Sequence, residues 1–593
     1  MFGAVPYLLK HKVQLLDRIQ FYTSMFGVVL ILLHVGFVRA TDLTYFMRQA
    51  GTVIFYILFA VEMLRTIGAF LVKKRFDGSS YSGMFVCLYM LLVLFARHIG
   101  WEGMDYFFVR DEWIFLGVAL VFLIQLSKNS LFLDKLYFNP TIFFVISFLA
   151  LILLGTVLLM LPQTSIEAPL DFIDAFFMST SAVCITGLQV TNIASEFTFF
   201  GQLVVLLLIQ IGGLGIMTFT GFFGYFFSGG FSFKNQLMFG EVLGENKLNE
   251  VIRTLLMIIF MTFLLEAIGA IMLFFALDGA NFEHVGQRLF FAVFHAISGF
   301  CNSGFTLIEG GMGANVYRFN YGFQLALSSM FICGTLGFGA IHNFYTYLIK
   351  TWHAGVDRFF HRRRVKYKAH NFSFSYKFVI YCNAIIIALA TVSFFLLEYN
   401  NTLAADSSFS GKLTTAFFMA NSSRTAGFET VGVGMLSMPT LIMAVTLMWV
   451  GSSPGSTGGG VKVTSVALAL LNIVALARGK ESIEIFGRRI LPESVSKAFA
   501  IILLSILSIL LCFIFLNVTD GNLDTTALLF ESISAYTTSG LSLGITPDLS
   551  TAGKMVVMTT MFVGRVGMLT LLVAFIKDST KKSYIYPSEK MMF

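Results

Sequence analysis

Four times along this 593-residue chain, a short apolar segment runs into a glycine-bearing turn rich in hydroxyl side chains. The turns are Ser181-Ala-Val-Cys-Ile-Thr-Gly-Leu188, Ser298-Gly-Phe-Cys-Asn-Ser-Gly-Phe305, Asn421-Ser-Ser-Arg-Thr-Ala-Gly-Phe428 and Ser534-Ala-Tyr-Thr-Thr-Ser-Gly-Leu541. Each has a small residue before the glycine and Leu or Phe after it. The glycines, Gly187, Gly304, Gly427 and Gly540, stand 117, 123 and 113 positions apart. Self-similarity at a nearly fixed period calls for several copies of one structural unit, and it constrains the fold more than any local propensity.

The segments around the turns define that unit. Long apolar spans lie near 141–161, 200–224, 253–277, 321–349, 375–398, 438–477, 497–517 and 553–576. Between successive pairs sit short segments near 170–183, 287–300, 410–423 and 524–536. Crossing a bilayer takes about 20 residues, so the short segments read as re-entrant helices. Hydrophobic residues make up 57% of the chain and charged residues 12%, with a mean hydropathy of +0.81. So few charges cannot cover a water-soluble surface. The fold class expected is an all-α polytopic membrane protein, with four helix–pore loop–helix repeats around one pathway. About four extra transmembrane helices precede them, near 19–38, 50–72, 83–100 and 113–127. The corresponding divisions are an N-terminal module at 1–138, repeats at 139–245, 246–370, 371–490 and 491–576, and a cytoplasmic tail at 577–593.

Charge sets the orientation. The net charge of +7 is concentrated in a few loops, notably Lys350 to Lys377 with His361-Arg362-Arg363-Arg364. Between apolar spans such clusters mark the cytoplasmic side rather than a nucleic-acid partner. Lys73-Lys74-Arg75, Lys128, Lys135, Lys234, Arg478, Arg488, Arg489, Lys577, Lys581 and Lys582 fall on the same side. Segments leading into the short helices carry Glu167, Asp171, Asp174, Asp278, Glu283, Asp406, Asp520 and Asp524. All four turns are therefore expected to dip in from outside, with both termini in the cytoplasm of a bacterial-type inner membrane. No small-residue cleavage site follows the first basic residues, so an uncleaved first helix is expected. Six scattered cysteines form no CxxC pair, which argues against a metal site or disulfide framework. No paired carboxylates, Ser/His/Asp set or cofactor loop points to an enzyme.

Irregular backbone at membrane depth is tolerated where its carbonyls line a cavity or meet a ligand, and a dehydrated cation needs such oxygens. Glycine permits the required dihedrals, and the negative C-terminal ends of the short helices favour cations. The candidate filter therefore comprises Val183, Cys184, Ile185, Thr186 and Gly187; Phe300, Cys301, Asn302, Ser303 and Gly304; Ser423, Arg424, Thr425, Ala426 and Gly427; and Tyr536, Thr537, Thr538, Ser539 and Gly540. No carboxylate ring marks it as a calcium site. Arg424, the one charge there, is expected to point away and pair with an acidic residue, with Glu531 and Asp174 as candidates.

Three other features stand out. Gly451, Ser452, Ser453, Pro454, Gly455, Ser456, Thr457, Gly458, Gly459 and Gly460 interrupt an apolar span. They fail the phosphate-loop pattern because Val461 separates Gly460 from Lys462. They form either a flexible helix break or a blocking loop below the filter. Arg565, between Gly564 and Gly567, reads as an electrostatic barrier or as an arginine snorkelling to the inner surface. Glu266 reads as a carrier site or as a helix–helix hydrogen bond, and His295 as a packed residue. Glu62 and Arg65 are charges at depth in the N-terminal module. The fourth segment, Trp113 to Gln125, holds no basic residue, which excludes a voltage sensor.

These residues resemble the TrkH/KtrB/HKT superfamily of potassium transporters. The likeness rests on Ser423-Arg-Thr-Ala-Gly-Phe428, Ala182-Val-Cys-Ile-Thr-Gly-Leu188, Gln210-Ile-Gly-Gly-Leu-Gly-Ile-Met-Thr218, the Gly451–Gly460 stretch, Phe562-Val-Gly-Arg-Val-Gly567 and Tyr586-Pro-Ser-Glu-Lys590. It covers roughly 139–593 and leaves 1–138 additional to an eight-helix core. The resemblance implies potassium as the transported ion and no cofactor in the chain. It also implies a homodimer in lipid, regulated by a cytosolic nucleotide-binding subunit of the KtrA/TrkA type. It favours the gating reading of Gly451–Gly460 and the barrier reading of Arg565. Cys184, Cys301 and Thr537 depart from the family pattern, which implies moderate potassium selectivity. A proton- or sodium-coupled symporter is the alternative.

Overall fold

The computed structural model describes residues 4–37, 41–72, 78–99, 111–130, 140–215, 248–360, 374–480 and 482–575. The basic clusters at 73–75 and 361–364, together with Lys234, Lys577, Lys581, Lys582 and the Tyr586–Lys590 motif, lie outside them. Helices α1 (Ala4–Phe37), α2 (Thr41–Val72), α3 (Gly78–Ile99) and α4 (Asp111–Ser130) pack as a bundle. Its core holds Phe55, Leu58, Met90 and Val118. Glu62 and Arg65 are buried there in one network. Arg65 meets Glu62 at 2.7 Å and Asp17 at 3.3 Å, while Gln20 bonds Glu62 and accepts from Gln125 at 2.6 Å. Charges taken out of water persist when paired in this way.

Four repeats follow. The first comprises α5 (Pro140–Leu159), the short α6 (Phe172–Cys184) and α7 (Phe199–Leu214). The second comprises α8 (Leu248–Ala276), the short α9 (Val285–Cys301), α10 (Tyr321–Leu336) and α11 (Phe338–Phe360). The third comprises α12 (Phe374–Glu398), the short α13 (Phe409–Thr425), α14 (Met438–Trp449) and α15 (Val463–Ala477), with a two-residue hairpin at 484–489. The fourth comprises α16 (Pro492–Asp520), the short α17 (Thr525–Thr537), α18 (Thr551–Val566) and α19 (Met568–Phe575).

Each short helix packs within its own repeat and also against the preceding repeat: α9 on α7, α13 on α10, α17 on α14, and α6 on α18. The last contact closes the circle, and Lys554 on α18 fastens it with an ion pair to Asp174 on α6 at 2.6 Å. Two apolar clusters fill the interior, one around Phe177, Phe294 and Met561, the other around Phe331, Phe418 and Met448. The outer surface is apolar as well. On α16 the exposed Leu503, Leu507, Leu510, Ile514 and Val518 form one stripe at helical spacing. A face of that kind meets lipid, not water. Among the described residues, five helices are long and apolar enough to span a membrane alone, those at 15–34, 46–67, 256–276, 374–398 and 492–520.

One expectation is corrected. The second helix of the second and fourth repeats is not continuous across 321–349 or 553–576, and that of the first ends within 200–224. Helix α7 stops at Gly215, α10 and α11 meet at Gly337 with a 104° bend, and α18 gives way to α19 at Gly567. These glycines have φ of +77°, +86° and +89°, a region that a side chain makes costly. In the third repeat residues 450–462 form the break. A run of apolar residues carries no hydropathy signal of a bend, so the breaks were hidden. The pattern that marks three of them is Gly212-Gly-Leu-Gly215, Gly334-Thr-Leu-Gly337 and Gly564-Arg-Val-Gly567.

Candidate functional site

The turns are built by the ends of the short helices. Ile185, Asn302 and Thr538 cap α6, α9 and α17 in the left-handed conformation, with φ of 57°, 58° and 52°. The chain then folds back: Thr186 N–H donates to Ser181 O at 2.8 Å, Ser303 N–H to Ser298 O at 2.9 Å and Ser539 N–H to Ser534 O at 3.1 Å. The third turn differs. Helix α13 runs one residue further, Ala426 stays right-handed, and Gly427 N–H makes the closing bond to Ser422 O at 3.2 Å. Buried serines lock each turn. Ser181 accepts from Gly187 N–H at 3.1 Å, Ser298 donates to Phe305 O at 2.7 Å, and Ser422 donates to Phe428 O at 2.5 Å.

The four glycines form one closed ring. A methyl group on Gly187 would overlap Ser303 O, and one on Gly304 would sit 2.8 Å from Ala426 O. One on Gly427 would overlap Ser539 O, and one on Gly540 would overlap Thr186 O. Thus each loop lays the carbonyl before its glycine against the glycine of its neighbour, from the first repeat round to the first again. All four have positive φ, between +73° and +88°. The backbones approach so closely that only hydrogen fits. The ring forms the floor of a cavity of about 460 Å³, lined by all four glycines together with Glu196, Thr306, Glu429 and Thr546.

Behind the ring, Gly212, Gly334 and Gly564 each press on a carbonyl four residues before a ring glycine, those of Val183, Phe300 and Tyr536. The 451–460 loop lies against the side of the turns opposite that cavity. Asn302 donates through Nδ2 to Thr457 Oγ1 at 2.8 Å, Thr457 Oγ1 donates to Phe300 O at 3.2 Å, and Thr425 Oγ1 donates to Asn302 Oδ1 at 3.2 Å. A methyl group on Gly458 would meet Thr425 Cγ2 at 2.9 Å, and one on Gly459 would overlap Thr538 Oγ1. Residues of three turns therefore rest directly on Thr457, Gly458 and Gly459.

The loop is ordered by its own bonds and by α10. Ser452 donates to Gly458 O at 2.7 Å, and Ser456 donates to Ser453 O at 2.6 Å. Gly451 N–H bonds Val461 O at 3.0 Å, and Gly460 turns with φ of +71°. Ser453 N–H bonds Thr335 O at 3.1 Å, while Gly455 O accepts from Phe338 N–H at 3.0 Å and Pro454 O abuts Gly337. Arg565 reaches in from α18, donating to Thr457 O and, at 2.7 Å, to Gly212 O. It clasps the loop to the first repeat and does not snorkel. Lys462, to which the sequence assigns no role, donates to Gly458 O at 2.7 Å and Ser452 Oγ at 3.1 Å.

Arg424 corrects another expectation. Its guanidinium turns toward α12 and the loop, but neither Glu531 nor Asp174 is its partner. It donates to Asn383 Oδ1 at 2.9 Å and Gly451 O at 3.0 Å, and among the described residues it makes no ion pair. Glu531 accepts instead from Ser542 at 2.8 Å and Thr546 at 2.5 Å, and Asp174 is held by Lys554. The remaining side chains stand apart from the ring. Cys301 directs its thiol toward Glu266 at 4.0 Å, Cys184 is buried, and Thr537 donates to Ile533 O on its own helix at 2.8 Å. Glu266 accepts from Gln210 Nε2 with both oxygens at 3.0 Å, a helix–helix bond. His295 is packed against Phe291 and Phe323 and bonds Phe291 O at 2.8 Å. The hydroxyls of Thr186 and Thr538, both buried, have no hydrogen-bond partner among the described residues.

An all-helical membrane protein with four repeats closed around one ring of backbone turns belongs to the pore-loop class. Within it, this chain is a member of the TrkH family of cation transport proteins, whose family model matches residues 114–585. Its relatives are transporters, not enzymes. It is 31% identical over 465 residues to the potassium/sodium uptake protein NtpJ of Enterococcus hirae, covering 77% of this chain and 97% of that protein. It is 33% identical over 452 residues to the Ktr system potassium uptake protein B of Bacillus subtilis, covering 76% and 96%. The crystal structure of the potassium transporter TrkH from Vibrio parahaemolyticus has the same fold, with a TM-score of 0.57 and 19% identity over 84% of this chain and 98% of that one. Residues 139–593 alone cannot supply that share. The structural likeness therefore extends into the N-terminal module.

Proposed function

We propose that this protein takes up potassium across the cytoplasmic membrane through a filter formed at the glycine ring, with the 451–460 loop and Arg565 as its gate. The observation that carries the reading is the cyclic contact of Gly187, Gly304, Gly427 and Gly540 at the base of one cavity. Four loops that touch in a circle present backbone oxygens around a single axis, the arrangement that can replace a cation's water shell. The short helices aim their negative ends at the same place. The unpartnered hydroxyls of Thr186 and Thr538 add further oxygens. Its relatives are named for potassium, or potassium and sodium, uptake.

The gate follows from position and charge. The loop is wedged against three turns, so an ion leaving the ring meets Thr457, Gly458 and Gly459. Arg565 adds repulsion: two like charges about 8 Å apart at an effective dielectric near 20 cost about 2 kcal/mol, roughly thirtyfold in rate. Opening the gate then requires a partner that moves the loop. A cytosolic nucleotide-binding subunit of the KtrA/TrkA type, acting on a homodimer of this chain, fits that requirement. Ion-coupled symport has less support, because Glu266, the residue it would use, is engaged by Gln210.

The test is growth of a potassium-uptake-deficient strain at low external potassium, with rubidium uptake measured alongside. Wild type should rescue growth, and Arg565→Ala should raise flux up to about thirtyfold without the regulator. Rescue that survives substitution of all four ring glycines would overturn the filter. Unchanged flux in Arg565→Ala would overturn the barrier.

A further inference from the structure

The gate loop and the third filter loop are joined through a residue assigned to neither. Asn383 lies in the middle of α12 and is 1% exposed. Its Oδ1 accepts from Arg424 at 2.9 Å, and its Nδ2 donates to Ser453 Oγ at 2.9 Å and to Val379 O at 2.8 Å. An arginine can only donate, so the orientation of this amide is fixed by its partners. Arg424 stands three residues before Gly427 of the ring and also donates to Gly451 O, at the first residue of the gate loop.

We propose that Asn383 is a positioning residue that couples gate to filter, so that displacing the 451–460 loop also perturbs the third filter loop. The inference rests on the filter-and-gate reading above and deepens it. Arg424 is buried, makes no ion pair among the described residues, and relies on two oxygens. One of them, Gly451 O, belongs to the gate loop. The other is held on an amide that is itself tied to the gate loop through Ser453. Movement of the loop withdraws the first acceptor and frees the second. A buried guanidinium cannot stay without acceptors, so its loop must rearrange. The third turn is the one whose short helix lacks the left-handed cap, so its backbone follows Arg424 rather than the shared pattern. A second link, Asn302 to Thr457 and Thr425, runs in parallel and joins the same loop to the second and third turns.

The experiment uses purified full-length protein in liposomes, with rubidium and sodium flux measured per protein molecule. Asn383→Leu keeps the volume and removes the bridge. It should raise rubidium flux about fivefold and lower the rubidium-to-sodium ratio by a similar factor, the two changes appearing together. Ser453→Ala removes only the gate end and is a small change that the fold tolerates. It should shift flux and ratio in the same directions by about twofold, and the double variant should match Asn383→Leu alone. A purely structural asparagine would lower the yield but leave both quantities per molecule at wild-type values. Flux that rises with an unchanged ratio overturns the coupling, as does Ser453→Ala with neither quantity altered. If wild type passes neither ion, the uptake reading fails as well; if wild type conducts and the variants match it, this inference alone fails.

Discussion

Two glycines of the second repeat separate backbone strain from crowding in the proposed filter. Gly304 and Gly310 both have φ of +73°, but only Gly304 has a neighbour: its methyl group would lie 2.8 Å from Ala426 O and 3.2 Å from Gly427 Cα. Around Gly310 there is nothing within 4 Å. Alanine at either site pays the same left-handed penalty of about 1–2 kcal/mol. At Gly304 the new carbon must also retreat roughly 0.5 Å to reach ordinary contact distance, which moves the ring against Ala426. An ion-oxygen shell distorted on that scale loses about 1–2 kcal/mol of discrimination, or some tenfold in selectivity. Gly304→Ala should therefore lower the rubidium-to-sodium flux ratio about tenfold, while Gly310→Ala lowers stability alone. The assay is competitive uptake in liposomes, with thermal unfolding in parallel. Equal loss of selectivity in both variants would refute the argument, because strain without crowding would then suffice.

Glu266→Gln preserves the bond to Gln210 in shape while removing the charge, so rubidium uptake should stay within about twofold of wild type. Loss of proton or sodium dependence in that variant would favour symport instead. Glu429 lines the proposed outer cavity and accepts from Val433 N–H at 3.2 Å. Burial raises its carboxyl above the ordinary glutamate range, the Val433 bond opposing in part, so falling external pH neutralises it sooner than an exposed glutamate. Acidification should raise the apparent KM for rubidium by about threefold at low ionic strength, and Glu429→Gln should abolish that pH response. Initial rates against external pH decide it.

What could be read from sequence was what repeats. The glycines at Gly187, Gly304, Gly427 and Gly540 announce four turns because each occupies a backbone position where nothing larger fits, and that demand leaves the same residue at the same place. The breaks at Gly215, Gly337 and Gly567 obey a like demand but sit inside apolar runs, where composition is silent about direction. Arg424 was assigned a carboxylate because unpaired charge at depth is expensive. That reasoning undervalued neutral oxygens: an amide and a carbonyl hold it. Asn383 escaped notice because nothing in its local context is unusual, and Lys462 was weighed only against a phosphate-loop pattern. Their roles arise from contacts across the fold, as with Asn302 and Thr457, which lie 155 positions apart.

The third repeat concentrates these surprises, and geometry gives a reason. On the proposed function, a single narrow path has room on its axis for one blocking segment, so a fourfold ring cannot carry four copies of the 451–460 loop. One repeat must depart from the pattern, opening its second helix between Trp449 and Val463, where those of the second and fourth repeats break at one glycine. Its short helix α13 ends one residue nearer its ring glycine than the other three do, and Arg424 reaches back to Gly451. The odd backbone of the third turn and the presence of the loop in the same repeat are thus two sides of one adjustment. On this view, a substitution that shortens the loop should release the constraint on Ala426 and let the third turn approach the geometry of the other three.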